Sequence, residues 1–283
     1  MPSKIKTFFD LIKFEHTLFA LPFAYLGMGV AARGWPGAKI FFFITLAMAS
    51  ARTAGMMLNR LIDRRIDAQN PRTRNRPLVT GRFKESWAWA TVAVSVALLL
   101  VSAAALNPLC LKLSPVALIL LTGYHYSKRF TEYCHWILGT VLGVAPVGGW
   151  LAVTGAFDWQ PVLLALAVLL WVAGFDILYS LQDVDFDRSA GLKSIPVRYG
   201  TQRALQVSFG CHVGTLFFLV LFGFAASLGW VYAAGLVTVA VLLRIEHSLV
   251  LDGDLSKINT AFFTINGWIG ILLFVFTCLD LYR

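Results

Sequence analysis

Charge is scarce in this sequence. Only 14% of its 283 residues are charged and only 15 are Asp or Glu, whereas 58% are hydrophobic. So little charge excludes an ordinary soluble domain, about a quarter of which is charged. Cysteine is scarce as well: Cys110, Cys134, Cys211 and Cys278 stand far apart, with no close pair for a metal or redox motif. They read as small apolar packers. The alternation of apolar and polar residues that a membrane barrel needs is missing, because the apolar runs are hydrophobic on every side. Met1 to Asp10 carries lysines but no apolar core with a small-residue cleavage site, so no removable signal peptide is expected.

What is there in quantity is apolar sequence. Runs long enough to cross a bilayer fall at roughly 14–33, 38–58, 86–106, 109–127, 136–156, 160–181, 204–227, 229–246 and 259–280, about nine in all. The expected fold is all-α: one domain over 1–283, a polytopic membrane bundle of about nine transmembrane helices in a lipid bilayer. With the N-terminus in the cytoplasm, nineteen Lys and Arg fall in the N-terminal segment and alternate loops. Four (Arg33, Lys39, Lys112, Arg283) fall on the other side, and Arg52 lies within the second run. The positive-inside rule then puts the N-terminus in and the C-terminus out, in a cell inner membrane with the active face toward the cytoplasm. Topology thus accounts for much of the +9 net charge, and no nucleic-acid partner is expected.

The few charges collect in three loops on that one face: residues 59 to 85, "YHYSKRFTEY" from Tyr124, and "FDILYSLQDVDFDRSAGLKSIPVRYG" from Phe175. On an ideal helix Asn59, Asp63 and Asp67 spread over only about 80°, and Asp176, Asp183 and Asp187 over about 40°, with Asp185 opposite. Positive-inside sorting explains arginines but gives acids no reason to align, and an acid at the depth of Asp176 is costly unless it faces a cavity. Paired carboxylates among Arg and Lys suit a diphosphate. Mg²⁺ takes oxygen ligands from one or two carboxylates and from phosphates, while the bases hold the outer oxygens. The apolar wall behind them would receive whatever the diphosphate carries.

At these residues the sequence resembles the UbiA superfamily of intramembrane aromatic prenyltransferases. The motif N-D-x-x-D-x-x-x-D is matched at Asn59, Asp63 and Asp67, and "RTRNRPL" resembles the Arg-x-x-Asn-Arg-Pro run that follows it. D-x-x-x-D with G-x-K-S is matched at Asp183, Asp187, Gly191, Lys193 and Ser194, and Asp176 stands where the family places an acid. "YHYSKRF" supplies Tyr124, Lys128 and Arg129 of a Tyr-x-x-x-Lys-Arg element. One departure is Arg60, where many members have Asp. The start "IKFEHTLFALPFAYLG" is most similar to the 4-hydroxybenzoate polyprenyltransferase-like branch, which includes the futalosine-route menaquinone enzymes.

The resemblance implies Mg-dependent transfer of a polyprenyl group from polyprenyl diphosphate to a ring carbon of an aromatic acid, such as 4-hydroxybenzoate, in ubiquinone or menaquinone biosynthesis. It implies Mg²⁺ held by Asn59, Asp63, Asp67, Asp183 and Asp187, with Lys128, Arg74 and Lys193 on the diphosphate. Asp176 would orient a ligand or act as a base. Tyr124, Tyr126 and Tyr179 could face the allylic cation or sit in an interfacial belt, and Trp171 and Phe175 read as packing. Arg52 is the candidate for the acceptor carboxylate, or else a partner of Glu15. Glu15 and His16 could touch the acceptor or mark the interface. His125, His135, His212 and His247 share no ligand spacing. The alternative is a membrane transporter of an anionic solute, but that would show polar residues reaching both faces, and the outer face is nearly bare.

Overall fold

The computed structural model describes residues 17–250 and 258–283. In chain order they form α1 (Thr17–Ala32), α2 (Ala38–Ile62), the short α3 (Arg64–Gln69), α4 (Glu85–Leu106) and α5 (Pro108–Gly123), the last leading into a 3₁₀ turn, Tyr124–Arg129. Then come α6 (Cys134–Thr154), α7 (Gln160–Ser180), a 3₁₀ turn (Leu181–Asp183), the short α8 (Val184–Ser189), α9 (Ile195–Ala225) and α10 (Trp230–Ser248). A π-helical turn, Thr260–Ile265, runs into α11 (Asn266–Leu281), and the described residues contain no strand. Eight helical segments are long and apolar enough to span a membrane, and the shorter apolar stretch Ala20–Ala32 of α1 completes the nine expected runs. The chain is an integral membrane protein.

Local chemistry sets the ends. Asn107 caps α5 by accepting from the Cys110 N–H (2.9 Å), with Pro108 in the first turn. Its amide also donates to the Leu151 carbonyl (2.7 Å), tying the α4–α5 turn to α6. Ser194 opens α9, and Gly200 (φ 80°) breaks it after one turn, so the long apolar part begins beyond Gly200, as the run from 204 predicts. Asp280 accepts from Gly229 N (2.5 Å) and Val231 N (3.1 Å), closing the end of the bundle that also holds Asn107. Exposed aromatics ring both ends, Trp35, Trp159 and Trp230 at this one and Trp87, Tyr133 and Tyr199 at the charged one, as interfacial belts do.

Packing is uneven around the bundle. A Cβ on Gly139 would strike the Leu169 carbonyl of α7, and one on Gly143 would come 2.9 Å from the Ala165 carbonyl. Gly149 and Gly27 likewise press on the carbonyls of Ala24 and Pro146, so α1, α6 and α7 meet backbone to backbone, the small-residue packing of membrane helices. Around them Phe23, Trp171, Phe175, Leu219, Phe222 and Leu243 form the main core, where Trp171 and Phe175 are packing residues. A buried polar chain runs through it: Trp171 Nε1 to Asn266 Oδ1 (2.8 Å), Asn266 Nδ2 to Glu246 Oε1 (2.7 Å), and His212 Nδ1 2.9 Å from His247 Nε2. α5 is the opposite case, with Ser114 its only buried residue among those described.

Candidate active site

Both acid motifs lie where a helix breaks at the charged end. α2 stops at Ile62, Asp63 takes a non-helical ψ of 4°, and α3 restarts for six residues carrying Asp67. α7 stops at Ser180, and Asp183 and Asp187 follow on the 3₁₀ turn and α8. The continuous helical faces expected from spacing are therefore interrupted at both places. The consequence is largest for Asp176, which stays on α7 and pairs with His135 (Nδ1 to Oδ2, 2.6 Å). The Ile195 N–H donates to the other ring nitrogen of His135 (3.4 Å), which leaves the proton on Nδ1 to face Asp176.

The loop after α3 joins the two motifs. Asn70 Nδ2 donates to Asp183 Oδ1 (3.1 Å), and Arg72 grips the same carboxylate with two bonds, Nε to Oδ1 (3.0 Å) and Nη2 to Oδ2 (2.5 Å). Arg76 Nη1 donates to Asp67 Oδ2 (2.5 Å). Arg129 of the middle loop donates to Asp63 Oδ1 (3.0 Å) and to the Ile62 carbonyl (3.0 Å). Asp63 Oδ2 accepts from Asn59 Nδ2 (3.1 Å), which also lies 3.4 Å from His125 Nδ1. Asp63, Asp67 and Asp187 are buried. Burial disfavours the Arg72 charge, but the hydrogen bonds and attraction of Asp183 outweigh it and hold Arg72 above the ordinary arginine value.

Around this cluster, Arg72 Nη1 donates to Tyr179 Oη (3.3 Å), its guanidinium lies 5.5 Å from the ring centroid, and Phe262 packs on that ring at 4.1 Å. Lys128 acts electrostatically on both Asp183 and Asp187, and its carbonyl accepts from Lys193 N (2.7 Å). Lys193 itself reaches away from the acids to the Phe130 carbonyl (2.9 Å). Arg74 is exposed and has no partner among the described residues. Tyr126 lies under Arg129, 5.0 Å from centroid to guanidinium. Glu15 and His16 lie outside the described residues.

Behind the cluster is a cavity of about 330 Å³ between α1, α2, α4, α5 and α6. Its walls are almost wholly apolar, and Arg52, Ser114 and Tyr124 are among its few polar contributors. From Arg52 and Tyr124 it extends to Leu106, Leu151 and Phe157 at the far end. Arg52 Nε is buried and has no hydrogen-bond partner among the described residues, which do not include Glu15. Tyr124 on the cavity wall precedes His125, whose Nδ1 lies 3.4 Å from Asn59 Nδ2, so cavity and acid cluster adjoin.

Four aspartates offer the all-oxygen donor set that suits Mg²⁺. Among the described residues no three His, Cys, Asp or Glu side chains converge closely enough to hold an ion by themselves. Asp187 has no hydrogen-bonded partner among them, so its oxygens are free to ligate. Asn59, the fifth expected ligand, has its oxygen engaged by Arg60 Nη1 (3.1 Å). Sequence reasoning singled out no role for Asn70, Arg72 or Arg76, and it gave His135 no site. The four-residue spacing of Arg72 and Arg76 within "RTRNRPL" was the available signal, whereas nothing in spacing joins His135 to Asp176.

The sequence pattern of the UbiA prenyltransferase family matches residues 20–268. The chain is 32% identical over 251 residues to a 4-hydroxybenzoate octaprenyltransferase of Methylobacillus flagellatus, covering 88% of this chain and 83% of the relative. A ligand-free UbiA homolog from Aeropyrum pernix K1 superposes with a TM-score of 0.86 at 34% identity, over 94% of this chain and 98% of that one. A UbiA homolog from Archaeoglobus fulgidus bound to DMAPP and Mg²⁺ has the same fold, with a TM-score of 0.71 at 23% identity over 98% and 99%.

Proposed function

The chain belongs to the UbiA prenyltransferase family, and from there we propose that it transfers a polyprenyl group from polyprenyl diphosphate to a ring carbon of an aromatic acid. The acceptor we favour is 4-hydroxybenzoate or a related acid of ubiquinone or menaquinone synthesis, following the relatives' activity. The observation that carries this reading is the reach of Asn70 and Arg72 across to Asp183, which joins both acid motifs at the end of the bundle from which Arg52 and Tyr124 line an apolar cavity.

Asp63, Asp67, Asp183 and Asp187 would hold Mg²⁺, which when bound neutralises charge on the leaving diphosphate. Arg72, Arg76, Arg129 and Lys128, with Arg74 at the exposed edge, supply cations for its oxygens. As the allylic C–O bond breaks, the electron pair leaves with the diphosphate and the cation remains against apolar walls and the rings of Tyr124 and Tyr179, away from water. A ring carbon of the acceptor forms the new C–C bond, and the displaced ring proton passes to Asp176, oriented by His135. Arg52, whose buried Nε has no partner among the described residues, takes the acceptor carboxylate. The skew of basic residues supports an inner-membrane location with this site toward the cytoplasm.

The test is to incubate purified protein with a prenyl diphosphate, Mg²⁺ and a panel of aromatic acids, and to identify products by mass. A prenylated acid that disappears with EDTA is expected. Prenylation that survives EDTA would refute the metal assignment, and movement of a labelled anion across vesicles without product would favour the transporter.

A further inference from the structure

The polar chain through the core takes no part in the proposed reaction, yet it ends on an irregular piece of backbone. Asn266, wholly buried, accepts from Trp171 Nε1 of α7 (2.8 Å) and donates to Glu246 Oε1 of α10 (2.7 Å), which fixes the rotation of α11 at that residue. The turn before it, Thr260–Ile265, is π-helical. Its extra residue rotates the chain ahead of Asn266 by up to about 100° from where an α-helix would carry it, and single π-turns are frequent at functional sites. What that rotation delivers to α7 is aromatic. Phe262 lies on the Tyr179 ring with centroids 4.1 Å apart and planes tilted by 33°, and it meets Phe175 edge to face at 5.1 Å. Phe263, its neighbour in sequence, reaches the same Tyr179 ring at 6.0 Å. Tyr179 in turn shares a partner with Asp183. Arg72 gives Nε and Nη2 to the Asp183 carboxylate and Nη1 to Tyr179 Oη (3.3 Å). Asp183 lies beyond the end of α7 on the 3₁₀ turn, so of these two contacts only the one to Tyr179 ties the guanidinium to the rigid helix itself.

Resting on the diphosphate reading above, we infer that Phe262 is a positioning residue of the second acid motif: from the π-turn it holds the Tyr179 ring, and through the Tyr179 hydroxyl it sets the Arg72 guanidinium for the diphosphate oxygens. Ring against ring is a directional contact, so an aliphatic side chain of similar bulk fills the space without fixing the angle of Tyr179. The last helix thus serves the site through Tyr179, and the buried Asn266 anchor is what keeps Phe262 in register with it.

Pyrophosphate binding tests this without turnover. The full chain in nanodiscs is titrated with inorganic pyrophosphate in the presence of Mg²⁺, and affinity is read by calorimetry. Tyr179→Phe, which removes the hydroxyl, is expected to lose about three- to tenfold. Phe262→Leu is expected to lose about threefold, and the double variant no more than the larger single loss, because the two residues act in series. Phe262→Tyr keeps the ring and should stay within about twofold of wild type. In steady-state kinetics Phe262→Leu should raise KM for the prenyl diphosphate and leave KM for the aromatic acid unchanged. Additive losses in the double variant, unchanged affinity in Phe262→Leu or in Tyr179→Phe, or an equal rise in both KM values overturns the inference. Should Phe262→Leu fail to fold, Phe262→Met, which fills the space with a flexible chain and no ring, is read in its place with the same expectations. Failure of wild type to bind pyrophosphate with Mg²⁺ would instead condemn the diphosphate reading itself, whereas tight wild-type binding with indifferent variants condemns the role of Phe262 alone.

Discussion

α7 and α5 both run the depth of the bundle, and they are built to opposite specifications. In its most apolar stretch the α7 segment is 56% buried, against 11% for the segment containing α5. Glycine contacts press α7 against α6, and Ser208 of α9 donates to the Gly174 carbonyl (2.8 Å). α5 carries an internal proline, Pro115, and lines a cavity with one face. On the proposed function the difference follows the work each side would be given. Asp176, Tyr179 and Asp183 continue from the rigid helix, and groups that serve a reaction must be held to within about half an ångström. An apolar tail has no directional bonds to satisfy and needs only a dry wall that can adjust.

Breaking the rigid side has the largest expected effect. Asp183→Ala removes the carboxylate that Arg72 and Asn70 share, and product formation measured by mass should fall by roughly 10³-fold or more. Gly139→Ala and Gly148→Ala, both on α6, set the two sides against each other. The first drives a Cβ into the Leu169 carbonyl and should cost about 1–3 kcal/mol in thermal unfolding. The second meets nothing within 4 Å, lines the cavity and should be neutral or slightly stabilising. Arg52→Gln should raise KM for the aromatic acid by about tenfold and leave KM for the prenyl diphosphate unchanged, as steady-state kinetics with each substrate varied would reveal. The smallest effect is expected on the yielding side. Ala117→Phe should weaken use of long-chain diphosphates by a few fold relative to short ones, without lowering the unfolding temperature. An equal loss for both chain lengths would mean that the tail lies elsewhere.

The nine apolar runs and the one charged face were legible in the sequence because lipid imposes a simple length and polarity rule. The acid motifs were legible as clusters, but their geometry was not. Rotation at 100° per residue presumes an unbroken helix, and nothing in that arithmetic marks the breaks at Asp63 and after Ser180. In "RTRNR" the run of arginines is plain, yet the fold of the Asn70–Lys84 loop decides that Arg72 and Arg76 meet aspartates while Arg74 faces out. The pairs His135–Asp176 and His212–His247 are 41 and 35 residues apart, with no local signature. Tertiary packing alone brings them together.

The clasp of Arg72 on Asp183 spans 111 residues of chain. A ribosome adding roughly 5–20 residues per second needs on the order of ten seconds to supply that stretch. Through that interval the basic loop is already made and still lacks its counterpart. The proposed site therefore stays incomplete until about two thirds of the chain has been made, and a chain truncated before the sixth apolar run would enter lipid without its second acid motif.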